Sequence, residues 1–267
     1  YLSVCSEYQL GSLPTEQSHP LSKNLSILAK NDVPQAIELL RQINCLALKN
    51  LDDHWDLLEE LHQEMQKTIG EKRRIIFVGC GATGRLSLLL ESWWRSNNPG
   101  NEQVLGIMAA GDLALIHSIE RAEDYPEYGK RHLIELGVQE DDLVIGITEG
   151  GETPYVLGAV EYAAESLKNN PYVLYCNPDE ALKKAATRSK RIIENPKVKN
   201  ISLPIGAMAL SGSTRMQACD VLQVAVGAGL TGNKNTLKNT LSFIQKKCPK
   251  SFEELIKKES ELYLLGQ

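Results

Sequence analysis

Residues 78–87 read VGCGATGRLS, a glycine-rich loop set between the apolar run IIFVG at 75–79 and a leucine-rich stretch. An apolar run that stops at glycine and passes at once into a helix-like segment is the joint of a βα unit. Its glycines fit the spacing G-x-G-x-x-G at Gly79, Gly81 and Gly84. Three readings share that spacing: a dinucleotide cradle, a sugar-phosphate cradle, or a tight turn without a ligand. In the first two, backbone amides at the helix N-terminus face an anion.

Reading outward, the same pattern recurs. Short apolar runs at VLGIMAAG (104–111), LVIGIT (143–148), YVLYC (172–176) and NISLPIG (200–206) each end in a small or polar residue. Strands buried on both faces read this way, so the chain is expected to form an α/β fold with a parallel sheet between helices. Segments 83–96, 113–122 and 154–168 have the length of crossover helices. Upstream, 1–34 is rich in Ser, Pro, Thr and Asn and reads as an extended arm, either wrapped on the body or partly mobile. Ile37, Leu40, Ile43 and Leu46 then recur at helical spacing, with Asp32 as the cap, and 54–69 repeats the pattern. A boundary is expected near Thr231, after which 251–267 carries a charged face and an apolar stripe. The expected partition is 1–70 for the arm and helices, 71–232 for the α/β domain and 233–267 for a helical connector to a further domain. A chain that starts at Tyr1 is read as part of a longer polypeptide.

The 29 basic and 34 acidic residues leave a net charge of −5 without a long basic run, which argues against a nucleic-acid groove. The six cysteines, Cys5, Cys45, Cys80, Cys176, Cys219 and Cys248, form no CxxC pair and are expected as reduced thiols, with no metal site and no cofactor. No stretch has the roughly 20 apolar residues of a membrane span, and a cytoplasmic location is expected.

The strand-end loops separate the three readings. A dinucleotide fold needs an acidic residue about 20 residues beyond the glycines; Asp112 lies too far along and reads as a helix cap. The third run ends in GITEGGETP (146–154), where Thr148, Gly150, Gly151 and Thr153 form a second hydroxyl-rich glycine loop, with Pro154 suited to a helix's first turn. ALSGSTRMQ (209–217) supplies Ser211, Ser213 and Thr214 ahead of another helix. Capping is the ordinary use of such residues. Three such loops at one sheet edge suit a compact phosphorylated, polyhydroxylated ligand, held with hardly any cationic side chains.

In this order and spacing, GCGATGRL, MAAGDLALIHSIERAED, GITEGGETPYV and LSGSTRMQ resemble the sugar isomerase (SIS) domain shared by N-acetylmuramic acid 6-phosphate etherases and the glucokinase regulatory protein. TEQSHP and QAIELLRQIN are also similar to that group's N-terminal region. The resemblance implies a three-layer α/β/α sandwich with a five-stranded parallel sheet and flanking helices. It also implies sugar-phosphate binding, a second SIS domain in the same chain or a homodimer, and a sugar kinase as a candidate partner. It places the etherases' second catalytic glutamate at Glu123, whereas Trp93 stands where their first one would be. Glu91 lies two residues earlier, about 200° around the helix, and is expected to point away.

With one carboxylate missing, the expectation is a non-catalytic regulatory binder of a phosphorylated hexose or amino sugar. An etherase or phosphosugar isomerase that uses Glu123 as acid/base is the alternative. Gly81, Thr83, Gly84, Glu123, Thr148, Gly150, Gly151, Thr153, Ser211, Ser213 and Thr214 are the expected ligand-binding residues. Glu152 is expected to repel phosphate unless turned outward, and Gln217 stands where the group carries Lys. Glu120 reads as a solvated carboxylate on Glu123's helix, and His117 as a packed or surface histidine. Cys80 reads as a small filler whose place at a helix N-terminus could lower its pKa. Trp93 and Trp94 are read as packing residues.

Overall fold

The computed structural model describes residues 10–119, 121–233, 235–246 and 254–259. Cys5, Glu120, Cys248 and most of the 251–267 stripe lie outside the described residues. After three single turns of 3-10 helix come α1 (Leu25–Asn31), α2 (Val33–Asn50) and α3 (Leu57–Gly70). The sheet region follows as β1 (Ile75–Gly79), α4 (Gly81–Asn97), β2 (Val104–Met108), α5 (Pro126–Glu135), β3 (Leu143–Ile147), α6 (Pro154–Ser166), β4 (Tyr172–Tyr175), α7 (Asp179–Ala185), α8 (Thr187–Ile193) and β5 (Lys199–Ser202). Last come α9 (Gln217–Thr231) and α10 (Thr236–Lys246).

All five strands are parallel, in the order β2-β1-β3-β4-β5. The period of two sorts their side chains between two helical layers. Ile75 and Phe77 of β1, Leu143 and Ile145 of β3, and Leu174 of β4 join α2, α3, α4 and α9 in one core. Their neighbours Ile76, Val78 and Val144 face the other way, into α5 and α6, and Val173 and Tyr175 meet α6, α7 and α8. Each large apolar side chain so buried contributes roughly 1.5–3 kcal/mol, so continuous apolar runs, rather than alternating ones, are what a two-sided sheet requires. This is the expected α/β/α sandwich.

The arm lies against the body, as one of its two readings had it, and one other element differs from the sequence reading. The described part of the arm clasps the body: Leu13 is buried in the core, Thr15 N–H donates to Asn177 Oδ1 (3.2 Å), and Ser18 pairs with Met208. His19 N–H donates to Met208 O (2.8 Å) and Met208 N–H to Gln17 O (3.0 Å). It ends in α1, and the expected cap at Asp32 accepts from Gln35 N–H (3.0 Å) at the start of α2. The expected crossover helix at 113–122 is only a 3-10 turn, Gly111–Leu115, followed by irregular chain. Ala110 (φ 66°) and Gly111 (φ 62°) are both left-handed and turn the chain away from a helix. Leu113, Leu115 and Ile116 find no burial, and α5 covers the sheet instead.

Candidate functional site

The strand order reverses between β1 and β3, and the loops leaving these two strands diverge around a crevice at their carboxyl ends. The crevice is a cavity of about 630 Å³, a size suited to a hexose phosphate. Three helix N-termini reach it: Gly81 and Ala82 open α4, Thr153 caps α6, and Thr214 and Arg215 precede α9. The unpaired amides and dipoles at such ends favour an anion.

The glycine loop after β1 is shaped by its own packing. A Cβ on Gly79 would lie 2.4 Å from the Thr83 carbonyl, so only glycine lets β1 touch the first turn of α4. Gly81 has φ 54°, the left-handed region, and lines the cavity. Gly84 packs on Met108 and does not reach the cavity. Thr83 is buried, its hydroxyl donating to Cys80 O (2.9 Å) and accepting Cys80 N–H (3.1 Å). That cap, rather than a ligand, uses the hydroxyl, which corrects the ligand role expected of Thr83.

Beyond β3 the loop divides its residues. Thr148 is buried, with its hydroxyl 2.9 Å from that of Thr153 and accepting Gly151 N–H (3.3 Å). Gly150 O accepts from Asn177 Nδ2 (2.9 Å) and Gly151 O from Ser189 Oγ (2.9 Å), so both glycines face the body of the protein. Of the four expected residues here, Thr153 alone lines the cavity. Glu152 turns outward onto Arg188, which answers the expected repulsion. In the last loop Ser211 Oγ donates to Glu16 O (2.7 Å) and Ser213 N–H closes a turn on Leu210 O (2.9 Å); neither residue lines the cavity, whereas Thr214 does. Gln217 is buried and accepts Ala209 N–H (3.4 Å).

Glu123 sits on the cavity wall, solvent-exposed, with its backbone carbonyl held by Tyr155 N–H (2.9 Å) at the first turn of α6. Its Oε2 accepts the Cys80 thiol at 2.9 Å. Burial, then the hydrogen bond and charge of Glu123, push that thiol far up, so the helix N-terminus does not activate Cys80 as its position suggested. Glu91 is indeed turned away: it accepts Gly106 N–H (2.7 Å) and pairs with Arg95. Trp94 packs inward with Nε1 donating to Asn101 Oδ1 (3.1 Å), while Trp93 is exposed, away from the cavity.

Three residues that the sequence reading passed over complete the wall. Arg85 reaches it from α4, its guanidinium donating to Gly81 O and Ala114 O (3.3 Å each), and Arg215 reaches it from the loop before α9. The expectation of few cations is therefore corrected. Glu149, between the expected Thr148 and Gly150, lines the same cavity, while its Oε1 is buried away from solvent without a hydrogen-bond partner. Burial raises its carboxyl from 4.5 to about 7; Glu123 adds to the rise, and Arg215 and its own amide oppose it. His117 lines the cavity from exposed chain rather than from a helix. Among the described residues no group of three His, Cys, Asp or Glu could hold a metal, Cys45, Cys80, Cys176 and Cys219 are free, and no helix is long and apolar enough to cross a membrane.

The model of the glucokinase regulatory protein N-terminal SIS domain matches residues 57–164. The chain is 30% identical over 225 residues to the N-acetylmuramic acid 6-phosphate etherase of Rhodopirellula baltica, covering 84% of this chain and 70% of that protein. It belongs to the SIS family, in the group of these etherases. The etherase of Streptomyces coelicolor is 40% identical over 146 residues, 54% of this SIS chain and 43% of that protein. Tagatose-6-phosphate ketose/aldose isomerase from Escherichia coli has a TM-score of 0.49 at 14% identity, over 77% of this chain and 49% of that one. The named relatives correct the expected function. Proteins 30–40% identical to this SIS chain carry the name of an enzyme, so the non-catalytic regulator expected from Trp93 and from the resemblance to the regulatory protein gives way to the etherase alternative.

Proposed function

We propose that this chain is a carbon–oxygen lyase that cleaves the lactyl ether of N-acetylmuramic acid 6-phosphate, with Glu123 as its base. The observation that carries the reading is the position of Glu123 on a cavity made receptive to anions by three helix N-termini and two arginines. That substrate has two anionic groups, a phosphate and a lactyl carboxylate. Arg85 enters from helix α4 and Arg215 from the loop before α9, and so the two provide for two charges rather than one.

In the open-chain sugar the ether oxygen on C3 is β to the C1 aldehyde, which makes the C2 proton acidic. Glu123 takes that proton, the electron pair forms the C2–C3 double bond, and the C3–O bond breaks to release lactate. Positioning such a base contributes roughly 10²- to 10⁴-fold. A second SIS domain, from the same polypeptide or a partner subunit, would cover the exposed rim at Leu115, Ile116 and Ile119. The setting would be the cytoplasm.

The test is lactate release from N-acetylmuramic acid 6-phosphate by the purified chain. Glu123→Gln is expected to lower kcat by about 10²- to 10⁴-fold with KM little changed. No lactate from the wild-type chain, or full turnover in the variant, overturns the reading.

A further inference from the structure

An elimination with an alkoxide leaving group needs two proton transfers, one from carbon and one to oxygen. The reading above gives the first to Glu123 and leaves the second without a donor. Glu91 is excluded, since it is bound to Gly106 N–H and Arg95 on the side facing β2.

We propose that Glu149 is the second catalytic residue, the acid that delivers a proton to the departing lactyl oxygen. This rests on the etherase reading. Glu149 and Glu123 line one cavity and reach it from different loops, one after β3 and one before α5. Such an arrangement places carboxyls around a ligand rather than side by side on one helix. The Glu149 Oε1 has neither solvent nor a hydrogen-bond partner. An ionised carboxylate left in that condition is costly, and a neutral acid much less so. The thiols around it give no relief: Cys80 donates to Glu123 instead, and Cys176 and Cys219 are pushed upward first by burial and then by the charge of Glu149. Arg215 is the cation that acts on it, and Glu123 the opposing anion; His117 and Arg85 share the same cavity. With its carboxyl raised to about 7, Glu149 stays protonated in a large share of molecules near neutral pH, where an exposed carboxylate has lost its proton.

The protons balance. Glu123 gains one from C2, Glu149 loses one to the leaving oxygen, and exchange with water restores both. The two transfers can be read separately on N-acetylmuramic acid 6-phosphate in deuterated water. C2 deuterium incorporation into unreacted substrate reports the base, and lactate release reports the acid. Glu149→Gln is expected to cut lactate release by 100-fold or more and to keep deuterium incorporation within about threefold. Glu149→Asp should recover part of the release. Wild-type release should fall as pH rises above about 7, and the residual rate of the Gln variant should lose that decline. Lactate release within threefold of wild type in Glu149→Gln overturns the proposal. So does an equal loss of release and incorporation, which would mark Glu149 as a binding or structural group. A wild-type chain that neither exchanges C2 nor releases lactate overturns the substrate reading and this proposal with it.

Discussion

The loops after β1 and β3 look alike in sequence, each a glycine-rich turn with threonine ahead of a helix, yet they serve the cavity differently. The first is a packing device. Gly79 lets the strand touch α4, Thr83 caps the helix with its hydroxyl, and Gly81 is the glycine that meets the cavity. In the second, Thr148, Gly150 and Gly151 are held by bonds within the protein, while Glu149 and Thr153 between and beyond them line the cavity. Glycine marks where the backbone must turn or approach closely; the chemistry sits in its neighbours.

The comparison breaks most readily at Gly79. In Gly79→Ala the added carbon would lie 2.4 Å from backbone atoms of Thr83 that cannot swing aside. A loss of about 3 kcal/mol or more is expected, against less than about 1 kcal/mol for Gly150→Ala. At Gly150 the new carbon would meet only the flexible Glu152 side chain at 3.5 Å. Urea unfolding of both variants checks this, and equal losses would erase the contrast between the loops.

Next in size is a pH effect confined to the β3 loop. Because the folded protein raises the Glu149 carboxyl from 4.5 to about 7, the folded chain binds more protons than the unfolded one between those values, and stability falls as pH rises through them. The penalty is complete above about 7 and corresponds to roughly 3 kcal/mol at most. Glu149→Gln removes it, so the variant should be more stable than wild type at pH 8 and equal to it below about pH 4.5. Denaturation curves at the two pH values measure the difference; an equal gain at both would detach it from titration.

The smallest effects compare the threonines. Thr83→Val should cost about 1 kcal/mol through the lost cap and leave KM unchanged. Thr153→Val should raise KM with a smaller stability change. Reversed results would exchange the roles of the two hydroxyls.

The sheet was legible because strands buried on both faces leave unbroken apolar runs, and all five runs became strands. The failure at 113–122 has a local cause, since the apolar residues were there but two left-handed residues ahead of them broke the helical path. Of the residues that line the cavity, Glu123 was named from a motif, and Thr153 and Thr214 from their hydroxyls ahead of expected helices. Glu149 gave no such signal. A carboxylate between threonine and glycine reads as a solvated turn, and its charged and thiol neighbours, Cys176, Arg215 and Cys219, come from far along the chain. Arg215 was missed for a related reason: helix N-termini seemed to make cations unnecessary.

The N-terminal clasp ties the order of synthesis to the assembly of the site. Residues 15–19 leave the ribosome well before the residues they grip, Asn177, Met208 and Ser211, which emerge some 160 to 195 residues later, the last two close to Thr214 and Arg215. A nascent chain that has completed its sheet at Ser202 therefore has its strap and Asn177 but still lacks the arginine-bearing loop that the strap fixes. Cleavage within 15–19 in the finished protein should loosen the hold on anions well before it unfolds the strands.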